Sequence, residues 1–284
     1  MATFSFDRFL LALKCHFLVE RRSWMRLFGI YTLVMFMANL FFTRVQGMNY
    51  GFMVENWDME RVVRQYNNIV GDTVGFGIVF FCFAMLFCAS FMFSQMKDTR
   101  KRSAYLLWPV SNVEKYVVSF LYSVVFMTVL TVAAYVLADG LRVLTDWLTG
   151  RIVIWGFPKL AEYFSSNAIC ENWQTAWMFF AWVFYFHSLY IVGGTLFRRQ
   201  QFLMTSAVIV VVGILLIMTL NQVHPDVDIV TGTWDEKTRT YTQVFHPAFY
   251  ILTSVLTLLI FFHYWVSYKL FTRIQVINNK WLNV

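Results

Sequence analysis

KDTRKRSAYLLWPVSNVEK, residues 97–115, lies between two long uncharged runs, and the rest of the chain is arranged around it. Residues 73–96 before it and 116–138 after it contain no Asp, Glu, Lys or Arg. A helix crosses a bilayer in roughly 17–25 residues, so each run is long enough to be a span. Lys97, Arg100, Lys101 and Arg102 fall close together and are opposed only by Asp98. Clustered cations of this kind hold a short loop on the cytoplasmic side. Arg102 to Trp108 contains no helix breaker and is expected to form a short helix with an apolar patch from Tyr105, Leu106 and Trp108. Pro109 stops it, because the residue before a proline is pushed toward extended geometry. Ser111-Asn-Val-Glu114 then reads as a capping box, in which the serine hydroxyl takes an orphan amide and the glutamate returns to the serine amide.

Outward from this connector the chain is strongly apolar. Of 284 residues, 59% are hydrophobic and 14% charged, whereas soluble domains carry about 25% charged residues. The expected class is an all-α integral membrane protein, a single transmembrane domain over residues 1–284. Its six spans are expected at about 27–43, 73–95, 116–138, 173–197, 202–222 and 247–268. With both termini inside, 15 of the 23 cations fall on the inner side and 12 of the 16 acids outside. The inner cations include Arg198 and Arg199 after the fourth span and a basic tail with Arg273 and Lys280. The opposite orientation would invert the rule that cations near span ends stay in the cytoplasm. The net charge of +7 therefore reflects orientation and anionic lipid, and nucleic acid is not an expected partner.

Residues 4–22 form an amphipathic pattern. Phe6, Phe9, Leu10, Leu13 and Phe17 recur at helical spacing on one face, flanked by Asp7, Arg8, Lys14, Glu20, Arg21 and Arg22. Such a helix lies in the membrane interface. The interrupting charges are not those of a cleavable signal peptide. Glu55 to Tyr66 suggests a short external helix, and 139–172 a broken segment hugging the interface. The external loop 223–246 contains two β-prone runs, 227–233 and 239–244, that suggest a hairpin. Cys15, Cys82, Cys88 and Cys170 lack the paired spacing of a zinc site and read as apolar fillers.

The string RSAYLLWPVSNVEKY, 102–116, resembles the connector of permease subunits of ATP-binding-cassette exporters of the type 2 class. Members of the Bacteroidetes kind carry a similar Tyr-Leu-Leu-Leu-Pro-Ala-Ser-Asn-x-Glu-Lys pattern after their second span. The chain departs from it at Trp108 and Val110, where Leu and Ala are common, and both changes stay apolar. Gly193-Gly-Thr-Leu-Phe-Arg-Arg199 is a second local match. The resemblance implies that 97–115 is a coupling helix docking on a separate ATPase subunit. Arg100, Lys101 and Arg102 would then meet an acidic groove, while Tyr105, Leu106, Leu107, Trp108 and Pro109 fill its apolar pocket. The cap of Ser111 and Glu114 would carry force into the third span. The N-terminal helix would be an elbow helix that adds contacts through Phe9, Leu13, Glu20 and Arg21. It further implies two ATPase copies, a second permease as homo- or heterodimer, and ATP and Mg on the partner. The implied location is the bacterial cytoplasmic (inner) membrane.

The residues alone point the same way on energy coupling. There is no Gly-x-x-x-x-Gly-Lys-Ser/Thr loop to cradle phosphates, so ATP hydrolysis would belong to another polypeptide and the chain is not expected to be an enzyme. Ion-coupled transporters place acids within their spans; here Asp72 and Asp139 are expected only at outer ends. His187 and His263, in the fourth and sixth spans, would suit a haem or quinone site or plain hydrogen-bonded interior positions. The outer acids Glu55, Asp58 and Glu60, and Asp226, Asp228, Asp235 and Glu236, read as solvated, and His224 and His246 as turn residues. No metal site or further cofactor is expected. Two other readings stay open: a membrane anchor or assembly protein without a transport path, and a redox subunit using the two histidines. Gly75, Gly77, Gly193 and Gly194 are candidates for close helix approach.

Overall fold

Lipid offers no partner to a free backbone amide, so uncharged runs this long are stable across a membrane as helices. A computed structural model of the chain describes residues 4–46, 59–96, 99–166, 172–197, 199–223, 229–235 and 240–273. In chain order the helices are α1 (Phe6–Val19), α2 (Arg21–Phe41), α3 (Met59–Ser90), α4 (Thr99–Leu106), α5 (Asn112–Phe120), α6 (Met127–Leu148), α7 (Phe157–Ser166), α8 (Trp173–Leu196), α9 (Gln201–Val223) and α10 (Pro247–Thr272). A π turn, Phe42–Gln46, prolongs α2, and another, Leu121–Phe126, joins α5 to α6. Six helical stretches are long and apolar enough to cross a membrane: Arg21–Val45, Met59–Ser90, Asn112–Leu148, Trp173–Leu196, Gln201–Thr219 and Pro247–Thr272. The protein is an all-α, multi-pass membrane protein. Its sheet, among the described residues, is one hairpin of β1 (Val230–Asp235) and β2 (Thr240–Phe245), with Val230 opposite Phe245 and Asp235 opposite Thr240. Glu55, Asp58, Lys97, Asp98, Cys170, Arg198, His224, Asp226, Asp228, Glu236 and the tail with Lys280 lie outside the described residues.

Several boundaries differ from the sequence expectation. The elbow helix stops at Val19; after a corner at Glu20 the first span's helix begins at Arg21. The helix of the second span begins at Met59 and takes in residues 59–66 of the expected external helix. The third runs to Leu148, so the first ten residues of the supposed broken segment are helical. Charge ends an apolar window but not a helix. Neither stretch holds a proline, and long charged side chains extend toward water from a continuing helix.

The described chain packs as two compact units, Met1–Cys88 with Pro109–Ala176, and Ala89–Trp108 with Trp177–Val284. In the first, Gly77 lets α3 approach α6: a Cβ there would stand 2.8 Å from the Tyr135 ring. Tyr31, Met35, Ala84, Ala134 and Ala138 are buried in the surrounding core. In the second unit, a Cβ on Gly193 would overlap Thr205 of α9, and one on Gly194 would lie 2.6 Å from the Ser90 carbonyl. Small residues at these points allow backbones to pack at short range.

Candidate functional site

The connector is built in two parts. The first, α4, starts at Thr99 rather than Arg102 and ends at Leu106. Its faces are not those expected. Arg102 is 0% and Tyr105 3% exposed, both inside the chain, so neither side chain is available to a docked partner in this conformation. The Tyr105 ring lies 5.3 Å from Trp108 and 6.5 Å from Phe271 of α10. Phe271 in turn stacks on Phe93 at 4.9 Å. The surface left to solvent is made by Arg100, Lys101, Leu107, which is 80% exposed, and Pro109, with Leu106 and Trp108 half-buried.

The second part is the cap. Ser111 has extended backbone, its Oγ accepts from the Glu114 amide at 3.3 Å, and Glu114 Oε2 accepts from the Ser111 amide at 2.6 Å. The expected capping box is present. Glu114 does more than the local pattern required. Its Oε1 accepts from the Ser5 amide at 2.7 Å and from Arg8 Nη2 at 3.3 Å. One buried carboxylate thus ties the first turn of α5 to the first turn of α1.

A second contact holds α1 farther along. His16 meets Tyr122 edge-on at 4.6 Å, and Phe17 meets Phe126 at 4.5 Å. Both partners stand on the π turn Leu121–Phe126, where one added residue per turn shifts the side chains out of α-helical register. The inward face of α1 is therefore Phe9, Ala12 and His16, with Leu13, Phe17 and Glu20 half-buried. Phe6 and Leu10, expected on that face, point away and are exposed, and Arg21 is exposed at the start of α2. Burial lowers the His16 pKa to about 4, so the imidazole is neutral at pH 7.

At the other end of the third span lies a cluster the sequence reading missed. Asp139, Arg142 and Asp146 are all buried on α6, so acids and a cation do stand on a spanning helix. Arg142 donates from Nε and Nη2 to Asp139 Oδ1 at 3.0 and 2.6 Å, and from Nη1 to Asp146 Oδ2 at 3.0 Å. Its Nη2 also reaches the Ile154 carbonyl at 2.6 Å. Tyr66 donates to Asp146 Oδ2 at 2.6 Å, and Arg44 pairs with Asp146 Oδ1 at 3.1 Å. Asp139 Oδ2 accepts from the Gly156 and Phe157 amides at 2.8 and 3.0 Å. Two acids, two guanidinium groups and a phenol thereby join α2, α3, α6 and the start of α7. The i, i+3, i+7 spacing was a readable signal, lost when the span was ended at residue 138.

The two membrane histidines are hydrogen-bonded within the second unit. His187 Nδ1 is 3.0 Å from the Tyr264 hydroxyl, and His263 Nδ1 is 3.0 Å from Ser188 Oγ. His246 Nε2 lies 2.9 Å from Thr231 Oγ1 and caps the corner into α10. Among the described residues, no group of three or more His, Cys, Asp or Glu side chains is placed to hold a metal ion. Compared with protein-family models, curated proteins and solved structures, the chain has no match in any of the three.

Proposed function

We propose that this protein is the permease subunit of an ATP-binding-cassette exporter, driven by a separate ATPase and working with a second permease copy. What supports the reading above all is Glu114. A push on the connector and a push on α1 converge on that carboxylate, at the first turn of a span that continues to Leu148. A loop that merely joined two spans, or bound lipid headgroups, has no use for that link. On this reading Arg100 and Lys101 meet acidic groups of the ATPase, Leu107 and Pro109 enter its apolar pocket, and Leu106 and Trp108 contribute their outer edges. Arg102 and Tyr105 act from within, holding α4 to its own chain. The N-terminal helix adds Leu10, Leu11 and Lys14 to the inner surface. ATP-driven closure would tilt the span through the Ser111 and Glu114 cap. The second permease would sit against α9, whose apolar window is only 6% buried by its own chain. The basic connector and both termini are then cytoplasmic, in the inner membrane.

The test is co-purification of a stand-alone ATPase with the permease. Leu107→Asp and Lys101→Glu are both surface changes and are expected to leave the permease folded while stripping it of the ATPase. Unchanged ATPase retention in both variants would sink the reading. A Soret band in the purified protein would favour a redox subunit instead.

A further inference from the structure

In the first unit, residues of α2, α3, α6 and α7 line an apolar chamber of about 130 Å³. Its wall includes Tyr31, Phe80, Phe81, Val132 and Leu160, and among the described residues it holds no Asp, Glu, Lys, Arg or His. The chamber is braced from two sides. A Cβ on Gly77 would stand 2.8 Å from Tyr135 Cε2, so the Tyr135 ring lies edge-on against the backbone of α3. Asp139, one turn beyond Tyr135 on α6, accepts from the Gly156 and Phe157 amides and so fixes the start of α7, which supplies Leu160. Three hydroxyls belong to the wall. Thr131 donates to the Met127 carbonyl at 2.8 Å, and the Tyr31 hydroxyl lies 3.5 Å from Cys88 Sγ. The third, on Tyr135, makes no hydrogen bond among the described residues. The residue is 9% exposed, and its oxygen is not one of the fully enclosed polar atoms. With one ring edge packed on Gly77, that oxygen opens on the chamber the ring lines.

A buried tyrosine hydroxyl usually has a partner, and an ordered water needs two to four polar groups around it. One unpaired hydroxyl in an apolar wall suits neither bulk water nor a plain hydrocarbon. We infer that the chamber binds a small uncharged aromatic molecule of phenol size, its ring among Tyr31, Phe80 and Phe81 and its oxygen on the Tyr135 hydroxyl. Size sets the first condition, because an apolar cavity of about 150 Å³ takes up benzene, whereas drug-sized ligands occupy roughly 300–1,000 Å³. The wall sets the second, since rings pair with rings edge-to-face or offset. An ionised ligand would lose its hydration here without gaining a counter-charge. The oxygen sets the third. A ligand lacking it leaves the Tyr135 hydroxyl unmet, and an unmet buried donor is costly. On the exporter reading, on which this inference rests for its role, such molecules are the transported class.

Para-fluorophenol and para-fluorotoluene, which differ only by a hydroxyl in place of a methyl, test this by fluorine NMR. The full-length permease is held in phosphatidylglycerol nanodiscs without ATPase, and each probe is compared at equal concentration in the lipid phase. Para-fluorophenol is expected to give a saturable bound signal that empty nanodiscs lack, about fivefold tighter than para-fluorotoluene. Tyr135→Phe keeps the ring and removes the oxygen. It should weaken para-fluorophenol about fivefold and leave para-fluorotoluene within about twofold, erasing the preference. Ile78→Phe narrows the chamber and should weaken both probes several-fold, with Val132→Phe as the second variant if the first fails to fold. The inference is overturned by the absence of a saturable signal, or by para-fluorophenol binding no tighter than para-fluorotoluene. It is equally overturned by a Tyr135→Phe loss that is nil or the same for both probes, or by binding that survives a narrowed chamber. Failure here leaves ATPase retention untouched, and loss of the ATPase leaves this binding untouched, so the two readings fail separately.

Discussion

The two ends of the Asn112–Leu148 span solve one problem differently. At the start, the single carboxylate of Glu114 is held by two backbone amides, and its one cation, Arg8, has a side chain 39% exposed. At the far end, Asp139 and Asp146 are locked to a fully buried Arg142, with Arg44 and Tyr66 added. Amides at a helix start are aimed at an acceptor by the backbone itself, and a half-exposed guanidinium is screened by water. That end can loosen at modest cost. At the far end the Arg142 cation is buried together with its acids and has no such substitute, and removing one member strands the rest. On the proposed exporter reading the span is pinned at one end and hinged at the other, the arrangement a lever requires. The π turn beside the hinge adds a local change of helical register where α1 is seated.

The comparison can be broken most directly at Arg142. Arg142→Met leaves two buried carboxylates without their cation and is expected to destabilise the protein by about 3–5 kcal/mol, read as a thermal melt in detergent. A loss no larger than that of a surface variant would show that the far end is not pinned.

Acid should act on the hinge next. The folded His16 pKa of about 4 lies below the unfolded value, which is about 6.5. The unfolded chain therefore binds more protons between those values, and stability falls as pH drops through that window. Docking of α1 should be fully kept above pH 6.5 and weakened by up to about 3 kcal/mol near pH 4. Limited proteolysis of α1 across pH reads it, and His16→Phe should flatten the profile. A profile equally steep in that variant would assign the acid response elsewhere.

The cap itself is the smallest effect. Ser111→Ala is expected to cost about 1 kcal/mol, and Glu114→Gln about 2 kcal/mol, because the amide oxygen can accept from Ser5 or from Ser111 while its NH2 leaves the other backbone donor unmet. The signature is selective: α1 becomes protease-sensitive while the melt shifts by much less than for Arg142→Met. Equal shifts at the two ends would erase the distinction between hinge and pin.

Sequence reading recovered features whose cause is local. The capping box spans three residues, the hairpin depends on two short β-prone runs, and the six spans depend on apolar length; all three are present, with the strands shifted by a residue or more from the expected runs. Reading failed where charge was taken to end a helix. The continuation carrying Arg142 and Asp146 reads as a broken segment, whereas the helix runs on to Leu148. Reading also failed where two sides of one short helix had to be told apart: nothing in the string TRKRSAYL marks Arg102 as the cation that turns inward while Arg100 and Lys101 face out.

Composition and periodicity by themselves determined that this is a six-span membrane protein with a cation-rich, capped connector, because partition into lipid and helix capping depend on residues close together in the chain. Only the tertiary structure decided that Glu114 reaches Ser5 across 109 positions and that Tyr66 reaches Asp146 across 80. Those pairings are selected by which helices come to lie side by side, and a buried charge or cavity exists only once several distant segments have closed around it.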